Sequence, residues 1–276
     1  MSDYDPDAFD AFEAAGWSTK DVAAYDALAG RVTSRVADPL LDAVDTGLGI
    51  RLLDVATGPG YVAERAAARG AEPVGLDFSE VMLAHVRARL PHVELVHGDA
   101  TALPFPAESF DAVIGAFVLL HLGRPQLAAA EAARVLRPGG RAAFSVWNEP
   151  SRSRWLGVLL DAVHDAGAKP PVEVPPGLPI FHFADEGAFG DLLRGAGLTD
   201  VVVETVDFTL HLESGDELWN GLVEGSVRVR PLVQSQTVEI QQAIRARFDA
   251  ALEAYRATAG FDVPVSVKLG SGRKPR

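Results

Sequence analysis

From residue 50 to residue 147, short apolar runs alternate with stretches of helical apolar spacing. Ile50, Leu52, Leu53 and Val55 form a nearly continuous run, the pattern of a parallel strand buried on both faces. Thr57-Gly58-Pro59-Gly60 then turns the chain, and Val62, Ala63, Ala66 and Ala67 mark one side of a helix. The unit repeats. A second strand is expected over 73–76, ending at Asp77, and Ser79 is placed to cap a helix that carries Val81, Met82, Val86 and Leu90 and stops at Pro91. Further strands are expected over 93–96, 111–117 and 141–147. A helix over 126–136 precedes the last of them, with a turn at Arg137-Pro138-Gly139-Gly140. Such alternation predicts an α/β domain: a parallel sheet, right-handed crossovers and helices on both faces.

The flanks are less regular. Residues 1–16 set Phe9 and Phe12 among acids and alanines, as in a short amphipathic helix. Ser18-Thr19-Lys20-Asp21 resembles a capping box with Asp in place of Glu, opening a helix with Val22, Tyr25 and Leu28. A third helix is expected over 36–44. Beyond residue 150 the pattern predicts a helix over 155–163, a Pro-rich loop over 169–179, and a helix over 186–196 ended by Gly197. A strand over 201–210 follows. Helices over 216–227 and 233–258 come next, with Pro231 between them, then a last strand over 263–268 ending in Gly270-Ser271-Gly272. The organisation expected is an N-terminal helical lid (1–46), a ligand-binding core (47–149), a cap insertion (150–184), a return to the core (185–212), a second cap insertion (213–260), and a last strand with a flexible tail (261–276). Ligands of open α/β sheets bind beyond the carboxyl ends of the strands. Both insertions leave such ends, so with the lid they are expected to roof the site and exclude water.

Composition narrows the chemistry. The chain has 276 residues, 48% hydrophobic and 23% charged, as in ordinary globular proteins. No apolar run is long enough for a transmembrane helix, and residues 1–15 are acidic, unlike a signal peptide. A cytoplasmic enzyme is the expectation. The absence of cysteine excludes disulfides, thiolate catalysis and cysteine-ligated metal. A net charge of -13 disfavours a nucleic-acid partner, and Arg273, Lys274 and Arg276 read as a loose tail. There is no His-Glu-x-x-His, P-loop or Gly-x-Ser-x-Gly spacing.

The strand–turn–helix at 52–60 suits a nucleotide-type cofactor, because glycines admit close approach and a helix start offers free N–H groups. Gly58-Pro59-Gly60-Tyr61-Val62-Ala63 fits the dinucleotide pattern G-x-G-x-x-A, which keeps an NAD-dependent oxidoreductase in view. Asp54 argues the other way: an anion at the strand end repels a pyrophosphate and suits a cationic ligand. Asp77, at the end of the second strand, can accept both hydrogen bonds of a ribose diol.

Five segments in order, LLDVATGPG, VGLDFSEVML, GDATALPFPAESFDAV, FVLLHL and RVLRPGGRAAFSVW, resemble the class I S-adenosylmethionine (SAM)-dependent methyltransferases, in particular the small-molecule group that includes the ubiquinone and menaquinone biosynthesis enzymes. The resemblance is clear over about 18–147 and weaker over 196–210. It departs at Ala56, where the family often has Gly. It implies a Rossmann-like, seven-stranded, mostly parallel sheet with the last strand antiparallel, helices on both faces and a helical cap. It implies SAM as cofactor, S-adenosylhomocysteine (SAH) as product, and no metal. Residues 54–60, with Asp54, Ala56, Thr57, Gly58, Pro59 and Gly60, would form the cofactor loop. Asp77 would take the ribose, with Phe78, Ser79 and Met82 beside the adenine. Gly98, Asp99 and Ala100 would meet the adenine edge. Phe117 and Leu122 would lie under the methionine part, and Tyr25 would face its carboxylate or sulfonium.

By the same resemblance His121 is the candidate catalytic base, and an imidazole suits that role near neutral pH. Asp111 reads as structural. Trp17, Trp147, Trp155 and His182 are the candidate acceptor contacts, with Asn148, His164, His211, Trp219, Arg228 and Arg230 as further candidates. The acceptor expected is a mid-sized, partly apolar small molecule of secondary metabolism, methylated on oxygen or nitrogen by a monomer or homodimer. The same scaffold can also host cyclisation, decarboxylation or hydroxylation with SAM as a bystander, so that alternative stays open.

Overall fold

The computed structural model describes residues 4–276. Its strands are β1 (Arg51–Val55), β2 (Glu72–Asp77), β3 (Glu94–His97), β4 (Phe110–Ala116), β5 (Leu136–Trp147), β6 (Thr199–Leu212) and β7 (Phe261–Arg273). They form one sheet in the order β3-β2-β1-β4-β5-β7-β6. The ladders from β3 through β5 are parallel, whereas β7 runs antiparallel to both β5 and β6. The strand order reverses between β1 and β4, and a crevice opens at such a switch point outside the carboxyl ends.

Around the sheet lie α1 (Pro6–Ser18), α2 (Val22–Tyr25), α3 (Arg31–Thr33), α4 (Ala37–Ala43), α5 (Tyr61–Ala68), α6 (Glu80–Arg89), α7 (Pro125–Val135), α8 (Arg154–Asp165), α9 (Glu186–Gly195), α10 (Gly215–Gly225), α11 (Val229–Gln234) and α12 (Val238–Leu252). Successive strand residues serve opposite faces. Leu52 joins the core under α4, α5, α8 and α12, and Leu53 and Val55 join the core under α7 and α9. Among the described residues no helix is long and apolar enough to cross a membrane.

The structure corrects several local expectations. Ser18 ends α1 and donates to the Ala14 carbonyl at 2.7 Å, while Asp21 caps α2, accepting from Ala23 N at 2.9 Å and Ala24 N at 3.2 Å. A capping box asks for a free Ser hydroxyl, and the previous helix had already taken it. The second and third helices fuse into one run from α2 to α4 through a π-turn at Asp26–Gly30. Pro231 lies inside α11 instead of breaking the chain, because its third position in that helix needs no intrahelical N–H partner.

One glycine-rich stretch read as a turn is strand, and the last strand runs further than expected. Arg137–Gly140 belongs to β5, and the expected loose tail pairs with it: Gly139 N donates to the Lys274 carbonyl and Lys274 N to the Gly140 carbonyl, each at 2.9 Å. β7 continues through Gly270 to Arg273. A Cβ at Gly270 would come within 2.8 Å of the Phe189 ring, so glycine there makes room for α9.

The caps also divide differently from the expectation of a simple roof. α8 lies against β7 on the sheet face, and α12 packs on α8. α1, α2 and the α10–α11 junction cover the carboxyl ends.

Candidate active site

The turn after β1 is stapled from below. Thr57 Oγ1 donates to Asp54 Oδ2 at 2.6 Å and Ala63 N donates to the same oxygen at 3.2 Å, so Asp54 closes the turn and caps the first turn of α5. Asp54 is buried, and burial pushes its carboxyl up to about 7 despite those hydrogen bonds. Asp54, Thr57 and Gly60 therefore support the loop from beneath and do not line the crevice. Gly60 has φ +87 and faces Val86 and Leu90, a position that suits only glycine.

Above the turn is a cavity of about 290 Å³, at the lower end of small-molecule sites. Ala56, Gly58 and Pro59 form its floor. The β2 end contributes Asp77, Phe78, Ser79 and Met82, and the β3 end contributes Gly98, Asp99 and Ala100. Phe117, His121 and Leu122 enter from the turn after β4, and Tyr25 from α2. Asp77 accepts from Gly58 N and Ser79 N, both at 2.9 Å, which binds the two turns together. Burial raises the Asp77 pKa against those bonds. A carboxylate offers about four lone-pair sites, so acceptor capacity remains for a diol. Asp99 accepts from Thr101 N at 2.7 Å through Oδ1. Asp111 serves structure, accepting from Arg51 N at 3.0 Å and Arg137 Nη1 at 2.6 Å.

Two wall residues sit in backbone conformations that L-residues avoid: Ala56 at φ 56 and Phe117 at φ 57. Both lie at carboxyl ends of central strands, where such strain collects at functional sites.

Beside the expected Trp17, the roof contains three residues that the motif reading passed over. α1 lays Asp10, Glu13, Ala14 and Trp17 over the cavity. Their spacing, i, i+3, i+4, i+7, is one helix face, a signal present in the sequence but hidden in a uniformly acidic segment. Glu13 is 2% exposed. Its Oε2 meets His121 Nδ1 at 2.9 Å and Trp17 Nε1 at 3.0 Å, and its Oε1 accepts from Arg228 Nε at 2.6 Å. Burial alone would raise the Glu13 pKa, but His121 and Arg228 outweigh it and hold the carboxyl at about 2. An ionised carboxylate only accepts, so His121 Nδ1–H is the donor of that contact and Nε2 is the ring nitrogen the contact leaves unused. Arg228 also donates to the Leu178 carbonyl at 3.1 Å and to the Leu120 carbonyl, with its guanidinium 4.6 Å from the Phe9 ring centre.

A second cavity, about 80 Å³, lies behind the first. Trp17, Tyr25, Phe117 and His121 line both. Trp147, Trp155 and Arg228 line the second one only. The expected acceptor contact His182 lines neither and packs edge-on against Phe183 at 4.8 Å. Asn148, His164, His211, Trp219 and Arg230 also stand outside: Asn148 Nδ2 donates to Ser266 Oγ at 2.8 Å, His211 meets Asp262 at 2.8 Å, and Trp219 packs on Phe248.

The first cavity's charged lining is Asp10, Glu13, Asp77 and Asp99, with no Lys or Arg. Such a wall fits a cationic ligand and disfavours a pyrophosphate. With the Glu13 charge matched by Arg228, the electrostatic preference first assigned to Asp54 belongs to Asp10, Asp77 and Asp99. With a diol acceptor at Asp77 and aromatic rings at Tyr25 and Trp17, the residues present fit SAM.

Comparison with known proteins agrees. Residues 53–144 match the family described as Methyltransferase domain. The demethylmenaquinone methyltransferase of Renibacterium salmoninarum is 41% identical over 126 residues, which are 46% of this chain and only 53% of that enzyme's length. The nocamycin O-methyltransferase of Saccharothrix syringae is 33% identical over 221 residues, covering 74% of this chain and 79% of that enzyme. Among solved structures, phosphoethanolamine N-methyltransferase 2 of Haemonchus contortus, in complex with phosphomonomethylethanolamine and S-adenosylhomocysteine, shares the fold: TM-score 0.53 and 17% identity over 88% of this chain and 53% of that one.

Proposed function

Because the chain belongs to the class I SAM-dependent methyltransferases, we propose that it transfers the SAM methyl group to the oxygen or nitrogen of a small molecule seated in the second cavity. One observation carries this reading: Trp17, Tyr25, Phe117 and His121 are walls of both cavities, so groups held on either side meet across them. SAM, when bound, supplies a methyl group on a good leaving group, so no protein nucleophile is needed.

The chain's own residues supply alignment, a dry site and a proton acceptor. Asp77 would hold the ribose hydroxyls, Asp99 and Ala100 the adenine edge, and the acidic wall the positive charge. Tyr25 and Trp17 would present their rings to the sulfonium. His121 Nε2 would take the acceptor's proton. Glu13 would fix the tautomer and stabilise the imidazolium. α1 excludes water, and its docking is extensive: Ser79 Oγ donates to the Trp17 carbonyl at 3.2 Å and Gly123 N to Asp10 Oδ1 at 2.5 Å. Held alignment of this kind is worth effective molarities on the order of 10⁵–10⁸ M in favourable cases.

Titration calorimetry tests the reading. SAH should bind the wild type and bind weakly to Asp77→Ala, and NAD should give no heat. Heat with NAD and none with SAH would return the site to an oxidoreductase. Release of SAH on turnover separates methyl transfer from chemistry in which SAM is a bystander.

A further inference from the structure

A hydrogen bond outside both cavities ties the lid to the cofactor turn. Tyr61 follows Gly60 directly and opens α5, so the turn sets its position. Its phenol reaches the lid and donates to Asp26 Oδ1. Asp26 in turn follows Tyr25, which lines both cavities. Burial, together with the Asp26 bond and charge, raises the Tyr61 pKa, so the phenol keeps the proton it donates.

Asp26 also opens the π-turn at Asp26–Gly30. Such turns are rare, carry an extra residue and occur mostly at functional sites. Gly30 closes this one. A Cβ there would collide with the Tyr61 hydroxyl and come within 2.9 Å of Asp26 Oδ1, so the turn is shaped around the phenol. On the other side Asp26 Oδ2 faces His85 Nε2 of α6 at 3.7 Å, beyond hydrogen-bond reach, and that buried nitrogen has no partner among the described residues. Tyr61 is therefore the donor that holds the Asp26 side chain. The cofactor turn is itself braced by α6, where Arg89 Nη1 donates to the Pro59 carbonyl at 2.7 Å. An α-helix advances roughly 100° per residue. Relaxation of the π-turn to plain α-helix would swing Tyr25 round the axis by about that angle, off the boundary between the cavities.

We propose that Tyr61 and Asp26 are a positioning pair for methyl transfer: the phenol, anchored to the cofactor turn, holds the π-turn in place and so sets the Tyr25 ring where the cofactor's methyl group meets the second cavity. The pair touches neither cofactor nor acceptor and acts through Tyr25. It also couples two events, since a cofactor that orders the turn orders the lid residue facing it. This rests on the reading of the site given above.

The test uses the full chain bound to SAM with carbon-13 in its transferable methyl. In the wild type that methyl should give Overhauser cross-peaks to the Tyr25 and Phe117 rings. Tyr61→Phe removes one hydroxyl, and Asp26→Ala removes its acceptor. Each should lose the Tyr25 cross-peak and keep that of Phe117. Amide exchange over residues 26–30 should quicken roughly tenfold, the scale of one hydrogen bond, with β1 and β4 unchanged. Asp26→Asn keeps an acceptor oxygen and should keep the Tyr25 cross-peak. The double variant Tyr61→Phe, Asp26→Ala should exchange no faster than the faster single one, because both remove the same bond. A Tyr25 cross-peak that survives Tyr61→Phe, its loss in Asp26→Asn, loss of the Phe117 cross-peak along with it, or additive exchange in the double variant would each overturn the proposal and leave the cofactor reading intact. A wild-type complex without the Tyr25 cross-peak would overturn it together with the role given to Tyr25. Failure of SAM to bind the wild type would sink the cofactor reading and the proposal with it.

Discussion

The cofactor end of the sheet and the roof over it hold their functional groups in different ways. At the β1 and β2 ends the ties are short-range and made with backbone: Gly58 N and Ser79 N donate to Asp77, and Thr57 N donates to the Leu76 carbonyl at 2.9 Å. In the roof, Glu13, His121 and Arg228 arrive from α1, from the turn after β4 and from the α10–α11 junction, and meet through their side chains, with Arg228 also donating to the Leu120 and Leu178 carbonyls. The floor is thus a property of local turns, whereas the roof exists only when three distant segments have docked. Damage to the floor should weaken one ligand. Damage to the roof should unsettle several elements together.

The largest expected effect separates chemistry from binding. His121→Gln should lower kcat by roughly 10²–10⁴-fold and leave the SAH dissociation constant unchanged; a joint loss of both would make His121 part of the floor. Glu13→Gln strands the Arg228 guanidinium, which has only 11% of its side chain exposed. Breaking a buried pair by one partner costs about 3–5 kcal/mol, and urea denaturation should show it. The double variant Glu13→Leu, Arg228→Met should recover much of that stability while activity stays low, since the His121 tautomer is no longer held. Asp77→Ala should weaken SAH roughly ten- to hundredfold, the scale of lost charge-assisted hydrogen bonds.

The two regions also carry opposite pH signatures. Glu13 titrates at about 2 in the fold against an ordinary 4.5, so its stabilisation is present above 4.5 and lost as pH falls toward 2. Asp54 is pushed up to about 7 from 3.8, so its contribution is complete below 3.8 and lost as pH rises through 7. Asp54→Asn keeps a side-chain oxygen for Thr57 and Ala63. It should flatten the stability profile between pH 4 and pH 8, and an unchanged slope there would contradict the account. The smallest effect concerns Ala56. Its φ of 56 costs an L-residue about 1–2 kcal/mol, partly offset by the entropy that glycine loses. Ala56→Gly should raise stability by about 1 kcal/mol or less, visible as a small rise in Tm.

What the sequence made legible follows the same division. Strand–turn–helix units announce themselves because their apolar period, their glycines and their caps sit within a few residues of one another, so the positions of Asp77, Ser79 and Asp99 at the strand ends are legible in the chain itself. Asp54 was identified by position, but its role was not: whether a carboxylate at a strand end faces ligand or lies beneath the turn depends on Thr57 Oγ1 and Ala63 N, which a motif does not encode. Glu13 was invisible for a different reason. One buried acid among exposed ones has no local mark, and its burial is decided by His121 and Arg228, far along the chain. The fusion of α2 through α4, the helix around Pro231 and the passage of β7 through Gly270 were likewise decided by tertiary packing.

The central claim is that a methyl group leaves the first cavity and enters the second between Trp17, Tyr25, Phe117 and His121. The most direct measurement is a nuclear Overhauser experiment on the protein bound to SAM labelled with carbon-13 in its transferable methyl. The account predicts cross-peaks from that methyl to ring protons of Tyr25, Phe117 and His121, and none to Ala100 or Met82. Cross-peaks to Ala100 or Met82 in place of the shared wall would contradict it.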